Sequence, residues 1–482
     1  MTTPFNEPPA WVQDAILYQI FPDRFAISDR VEKPGGIEPW DSPPTARGYK
    51  GGDLLGITER LDHLVDLGIT GIYLNPIFQS ASNHRYHTHD YFHVDPLLGG
   101  NAAFDEFITA CHDRHIKVIL DGVFNHSSRG FFPFNDVLEN GASSPWVDWF
   151  HIHDWPLRPY GRKPPNYGAW WGLKALPTFN TDNPQVREYL MRVGEHWARK
   201  GIDGWRLDVP QEIQTEGFWE EFRERVRAVN PDLYIVGEIW GDASDFINDG
   251  TRFDGTMNYR LTTAILGYVV GDRADQAAIL DNNPQYTIER DLDGAGYADL
   301  VDAILGSYPP QAHLANMNLL DSHDTARILS IASNDVASVE LALTLLLTFP
   351  GAPSIYYGTE IGLEGFRDPD CRRSMPWDEQ RWNTELLETT KRLIALRKEH
   401  PALRSADYRR IDTGIEAGMV TMFSRHGEHD TLLVGVNAGD EDETVRPGIE
   451  FGTSLQRIWG EGRETDREFV VPSRSATIWR TG

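Results

Sequence analysis

Four short stretches of the chain combine carboxylates, histidines and an arginine: DGVFNH (121–126), GWRLDV (204–209), GEIW (237–240) and LLDSHD (319–324). Arg206 and Asp208 are two residues apart, so an extended backbone points both side chains the same way. A guanidinium beside a carboxyl group favours its ionised form through charge attraction and hydrogen bonding. An ionised, oriented carboxylate can act as a nucleophile. Glu238 is followed by Ile239 and Trp240, apolar surroundings that raise a carboxyl pKa and suit a general acid. Two such carboxyl groups about 5–5.5 Å apart would cleave a glycosidic bond with retention. Each fragment alone has a plainer reading. Arg206 with Asp208 reads as a structural ion pair, Glu238 as a surface carboxylate, and His126 as a hydrogen-bonded core histidine. Their joint occurrence in four stretches carries the signal.

The elements that must position these residues are legible as eight short apolar runs: Ile16–Ile20, Gly71–Leu74, Val118–Leu120, Gly204–Val209, Tyr234–Val236, Phe253–Tyr259, Asn318–Leu320 and Ser354–Tyr357. Runs of this kind suit strands buried on both faces. Segments with helical periodicity lie between several of them: one over 57–68 stopped by Gly68, then Phe104–His115, Val186–Lys200 and Gly217–Val229. The alternation predicts an α/β fold, a (β/α)₈ barrel, whose chemistry sits at the C-terminal ends of its strands. All four polar stretches fall at such ends. Residues 127–183, rich in Pro, Trp and His, interrupt the alternation and are expected to form an inserted domain B after strand 3. The barrel is assigned to 1–126 and 184–400. Beyond Pro401 the period becomes two, which predicts a C-terminal all-β domain, a sandwich, over 401–482.

Composition narrows the partners. Acidic residues number 72 against 45 basic ones, a net charge of −27. That argues against nucleic acid and against anionic lipid surfaces. Two cysteines, Cys111 and Cys371, are too few for a disulfide framework and are expected to be buried thiols. The N-terminus MTTPFNEPPAW has no basic, apolar leader pattern, and Leu341–Phe349 is too short to span a bilayer. A cytoplasmic protein is the expectation.

The four motifs, in this order, resemble those of glycoside hydrolase family 13, the α-amylase family. The stretches ILYQIFPDRF (16–25), GIYLNPIF (71–78), SNHRYHTHDYFHVDPLLG (82–99), FDGTMNY (253–259), LLDSHDTAR (319–327) and DPDCRRSMPW (368–377) are similar to the neopullulanase, cyclomaltodextrinase and maltogenic amylase group. The resemblance implies that Asp208 is the nucleophile, Glu238 the acid/base and Asp324 the third carboxylate, which stabilises the transition state. It implies that Arg206 supports Asp208 and that His126 and His323 bond the sugar at the cleaved position, the −1 site. Tyr86 is its aromatic platform. Asp368 and Arg372 contact the non-reducing side, and Trp240 and Glu212 the acceptor side.

It implies a retaining hydrolase of α-1,4 bonds, with α-1,6 bonds as a further target, in cyclomaltodextrins and short maltooligosaccharides, with transglycosylation as a side reaction. Rival readings are a hydrolase of cyclic maltosyl-maltose oligosaccharides, an exo-acting α-glucosidase and a non-enzymatic sugar binder. The group's N-terminal β-domain is expected to be missing, since the first strand starts near Asp14, which leaves monomer against homodimer open. Val209-Pro210-Gln211-Glu212 departs from the group's Val-Ala-Asn-Glu, and Leu176–Asn180 only partly matches its MPKLN.

No cofactor is required. A structural calcium is left open: Asn125 matches a ligand position in many α-amylases, but the loop Ala26–Val31 lacks clustered Asn and Asp side chains. Within the insert, Tyr167, Trp170 and Trp171 read either as packing onto the barrel or as a wall of the sugar cleft. His151, His153 and Asp154 read as surface groups rather than metal ligands.

Overall fold

The computed structural model describes residues 6–279, 286–290, 292–415, 417–447, 455–465 and 468–481. Eight parallel strands form the central sheet: β1 (Leu17–Ile20), β2 (Gly71–Leu74), β3 (Lys117–Gly122), β4 (Gly204–Leu207), β5 (Tyr234–Gly237), β6 (Gly255–Thr256), β7 (Met317–Leu319) and β8 (Ala352–Tyr356). Their order is β6-β5-β4-β3-β2-β1-β8-β7, and a parallel bridge from Met257 to Met317 joins the two ends into a barrel. Every residue of β1, β2, β4 and β5 is buried. That is why these strands read as largely apolar runs: side chains fill the barrel interior on one face and meet helices on the other.

The helices follow from local signals. Helix α1 (Pro184–Arg199) begins at Asn183, whose side chain accepts from Gln185 N, with Pro184 in the first turn. Its apolar stripe packs against α2 (Phe218–Val229). The expected helix over 57–68 is instead two helices, Leu54–Glu59 and Leu61–Leu67. Arg60 leaves the helical region between them, while Gly68, at φ 94°, ends the second as expected. The sixth run shortens to two paired residues, because Asn258 turns out of the sheet to cap the helix Tyr259–Val269. After β2 an unexpected antiparallel hairpin, Phe78–Ser80 with Thr88–Val94, carries Tyr86 in its connection.

The insert after β3 holds one helix, Phe132–Asn140, and isolated bridges such as Phe150–Phe179 and Ile152–Tyr167. Its own core is aromatic: Phe134 packs on Phe150 and Tyr167, and Phe150 stacks on Phe179. At the C-terminus a five-stranded antiparallel sheet runs in the order Tyr408–Ile411, Val420–His426, Thr431–Asn437, Ser475–Thr481, Leu455–Trp459, beside a three-stranded one. Ile411, Met422, Leu433, Val445, Phe469 and Trp479 form its core. Buried arginines join this domain to the barrel. Arg397 donates to the carbonyls of Leu347, Phe349, Gly351 and Leu403, and Arg425 to those of Thr348 and Ser405. Most of these carbonyls lie where the helix Val336–Thr348 ends, at the negative end of its dipole.

Candidate active site

Strand register brings the motifs together. Asp121 on β3 pairs with Arg206 on β4, and Leu207 with Gly237 on β5. The ladder continues past the strand ends: Asp208 N donates to Gly122 O at 3.1 Å, and Glu238 N donates to Leu207 O at 2.9 Å. Asp208 and Glu238 therefore emerge side by side at the C-terminal rim. Immediately after Asp208 the chain turns sharply, with Val209 at φ 36°, a left-handed conformation that a β-branched residue rarely adopts. The turn sends Pro210–Glu212 away from the strand direction.

Arg206 is the hub. Its side chain is fully buried, and its Nη1 donates to both oxygens of Asp121, at 2.9 and 3.1 Å, and to Asp208 Oδ1 at 3.2 Å. Nη2 pairs with Glu238 Oε2 at 2.8 Å, and Nε points at Met257 Sδ. Glu238 also accepts from Val209 N at 3.2 Å and from Trp240 Nε1 at 3.1 Å. Asp208 Oδ2 has no protein partner. One oxygen of Asp208 is thus fixed by the guanidinium and the other is uncommitted, the arrangement a nucleophile needs.

Arg206 is shared among three carboxyl groups. Arg206 was expected to hold Asp208 ionised. It lies closer to Glu238 and Asp121, and burial followed by the negative charge of Glu238 pushes Asp208 well above the usual carboxylate range. Burial also raises Glu238, against the opposing pull of Arg206, and raises Asp324 and Asp121. Five carboxyl groups, Asp121, Asp208, Glu238, Asp324 and Asp368, share two guanidiniums, Arg206 and Arg372. Full ionisation would leave a net negative site in a low dielectric, so the cluster favours retaining a proton.

The remaining polar groups form a chain across the barrel mouth. Gln19 Nε2 donates to His323 Nδ1 at 2.9 Å, which places the ring proton on Nε2. That nitrogen faces Tyr86 Oη at 2.7 Å and Asp324 Oδ2 at 3.0 Å. Tyr86 donates onward to Asp121 Oδ2 at 2.8 Å, and its ring lies parallel to His323 with centroids 5.4 Å apart. Tyr73 adds a third donor to the same carboxylate at 2.7 Å. Burial pushes His323 well below the usual histidine range and His126 down to about 3, so both rings are neutral at physiological pH. His126 is held through Nδ1 by Asn125 Nδ2 at 3.3 Å, and its Nε2 has no protein partner.

The structure brings the other sequence candidates to the same rim. Arg372 reaches Asp324 at 3.3 Å and Asp368 at 3.0 Å, and its Nε donates to His323 O at 2.8 Å. Trp240 lies flat on Tyr259, 3.7 Å between centroids. Glu212 is exposed at the end of the turn after β4. The three insert aromatics divide. Tyr167 is buried within the insert and donates to Lys174 O, whereas Trp170 stacks on His126 and Trp171 stacks on Trp170. His151, His153 and Asp154 are exposed.

Asn125 donates its Nδ2–H to His126, and among the described residues no group of three or more His, Cys, Asp or Glu is placed to hold an ion. In the loop after β1, a cation is already supplied by the chain. Lys33 Nζ lies 2.9 Å from Asp53 Oδ2 and donates to Leu97 O, while Ser28 N and Gly56 N donate to the same buried carboxylate.

Three polar residues escaped the sequence reading: Gln19, Asn75 and, as the shared acceptor, Asp121. Asn75 donates to Tyr86 Oη at 3.2 Å. A signal was present. Gln19 interrupts the apolar run of β1 one residue before its end, and Asn75 directly follows β2 as a polar residue closing an apolar run.

Similarity to known proteins agrees with this geometry. Residues 19–383 match the α-amylase catalytic domain. The chain is 43% identical to a cyclomaltodextrinase of Geobacillus thermopakistaniensis over 444 residues, 92% of this chain and 72% of that one. Its fold matches the debranching enzyme from Nostoc punctiforme with a TM-score of 0.90 at 50% identity, covering 98% and 99% of the two chains. It matches the cyclic α-maltosyl-(1→6)-maltose hydrolase from Arthrobacter globiformis with a TM-score of 0.86 at 36% identity, covering 99% and 100%. A barrel with carboxylates converging at its C-terminal rim and a family match over most of the chain lead to one conclusion: this protein belongs to the α-amylase family of glycoside hydrolases.

Proposed function

We propose that the protein hydrolyses α-1,4 glucosidic bonds of cyclomaltodextrins and short maltooligosaccharides with retention, and that it also accepts α-1,6 bonds. The observation that carries this is the pairing of Asp208, with one oxygen uncommitted, and Glu238 on adjacent strand ends around Arg206. Asp208 Oδ2 attacks the anomeric carbon as the bond to the leaving oxygen breaks, and Glu238 gives its proton to that oxygen. Glu238 then takes a proton from water, the water oxygen bonds to the anomeric carbon, and Asp208 is released. In the reactive form the proton retained by the cluster sits on Glu238. Asp324 with Arg372, and the neutral His126 and His323, bind the hydroxyl groups of the −1 sugar, with Tyr86 beneath it. The surrounding carboxylates favour the positive charge that develops on the sugar.

Asp368 marks the non-reducing side and Glu212 and Trp240 the acceptor side. No step uses a metal or organic cofactor. The activity is placed in the cytoplasm, which suits two buried, unpaired cysteines. Cyclic or branched oligosaccharides containing α-1,6 links are a second reading, favoured by the likeness over nearly the whole chain to the cyclic α-maltosyl-(1→6)-maltose hydrolase and to the debranching enzyme. A product profile across β-cyclodextrin, maltotriose, pullulan, panose, starch and cyclic maltosyl-maltose tests both. Turnover of β-cyclodextrin and maltotriose supports the first, turnover confined to α-1,6-linked substrates supports the second, and turnover of none contradicts the assignment.

A further inference from the structure

Trp171 is unusual in three independent ways. Its side chain is exposed, at 77% of its full accessible area, the most exposed large apolar residue among the described residues. Its backbone sits at φ 49°, ψ 23°, the left-handed region that costs an L-residue about 1–2 kcal/mol. And its ring is not loose. It lies on Trp170 with centroids 4.4 Å apart and planes 12° apart, and Trp170 lies on the buried His126 at 5.2 Å and 13°. A three-ring stack therefore runs outward from the −1 histidine to solvent. Two nitrogens along it, Trp170 Nε1 and His126 Nε2, are buried without a protein partner.

Strain held at a bulky exposed residue calls for a function rather than a packing role. The loop is fixed around it: Trp170 N donates to Leu176 O at 3.0 Å and Gly172 N to Ala169 O at 2.9 Å. Position around the barrel decides which sugar the ring serves. The insert leaves the barrel between β3 and β4, next to Glu212 after β4 and Trp240 after β5. Asp368 and Arg372 follow β8, on the other side of β1 and β2.

We propose that Trp171, held by Trp170, is the stacking platform for an acceptor-side glucosyl ring, and that it sets how often the glycosyl-enzyme passes to sugar rather than to water. The apolar face of a glucose ring lies on the indole as it does on other aromatic side chains. This deepens the α-glucan reading and rests on it.

The test uses the full chain with Trp171→Asn, since asparagine accepts the left-handed backbone, and Trp171→Phe, which keeps a ring. α-Maltosyl fluoride has no acceptor-side sugar, so its hydrolysis should stay within about twofold of wild type in both variants. For maltotetraose, Trp171→Asn should lower kcat/KM about tenfold, mainly through KM, and the ratio of transfer to hydrolysis with added maltose should fall by a similar factor. Trp171→Phe should recover most of both. Equal losses on the fluoride and on maltotetraose, or no change in transfer ratio, would overturn the proposal. A wild-type enzyme inactive on every glucan would instead overturn the functional reading beneath it.

Discussion

Fully buried arginines serve two regions of this molecule in opposite ways. At the barrel mouth, burial opposes the charge of Arg206, but Asp121 and Glu238 outweigh it and hold the guanidinium well above its ordinary pKa. At the seam with the C-terminal domain, Arg397 and Arg425 hydrogen-bond to backbone carbonyls and pair with no carboxylate among the described residues, and burial pushes each down to about 9. One region gathers more acids than its cations can neutralise. The other uses cations to satisfy carbonyls at a helix end. The first arrangement is costly for folding and reactive; the second stabilises and does no chemistry. Substitutions should therefore separate activity from stability cleanly between the two regions.

The largest effect is expected from Asp208→Asn or Glu238→Gln, each lowering kcat on maltotriose by about 10⁴-fold or more. Both variants should nevertheless be more stable than wild type at pH 7. The reason is the sign of the shifts. A carboxyl group whose pKa is raised by folding contributes stability below its unfolded pKa of about 3.9–4.3, and that contribution is lost as pH rises through the folded value. A neutral amide removes the loss. Calorimetry should show a Tm gain of about 1–3 °C at pH 7 that disappears near pH 4. Equal or lower Tm at pH 7 would break the contrast from the active-site side.

Arg425→Met should do the reverse. Stranding the carbonyls of Thr348 and Ser405 should cost about 2–4 kcal/mol in denaturant unfolding, with kcat/KM of the folded enzyme unchanged. A large loss of turnover at full folding would show that the seam feeds the site.

A finer probe is Trp240→Phe. It removes the N–H that favours ionised Glu238, so the acid's pKa should rise and the basic limb of the kcat/KM profile should move up by about half a pH unit. A downward move would contradict the hydrogen bond's role. The smallest expected response is none at all. EDTA should leave Tm unchanged, because Lys33 supplies the cation at Asp53, whereas Lys33→Met should lower Tm measurably. An EDTA-induced drop would place a metal there after all.

The candidate site's convergence was legible because a parallel barrel concentrates polar residues at strand ends, and DGVFNH, GWRLDV, GEIW and LLDSHD stand out against apolar runs. Residue identity also marked Asp208 and Glu238 as neighbours once the strands were ordered. What the chain did not disclose was partition. Whether Arg206 favours Asp208, Glu238 or Asp121 depends on contacts within an ångström, across three strands. Gln19 and Asn75 were hidden because each looks like the ordinary polar end of a strand; only the chain Gln19–His323–Tyr86–Asp121 gives them a purpose. The break at Arg60 and the hairpin carrying Tyr86 were likewise decided by tertiary packing, against a continuous local pattern. Trp171 and Tyr167 are both aromatic residues of the same insert, and nothing in composition separates the exposed ring from the buried one.

The central claim is that Asp208 forms a covalent bond to the sugar. Incubating the enzyme with a 5-fluoro-α-glucosyl fluoride, digesting at low pH and sequencing the labelled peptide by mass spectrometry tests it directly. The account predicts a single glycosyl adduct on Asp208, absent from Asp208→Asn. An adduct on another carboxylate, or inactivation-free turnover that releases the β-anomer first, would contradict it.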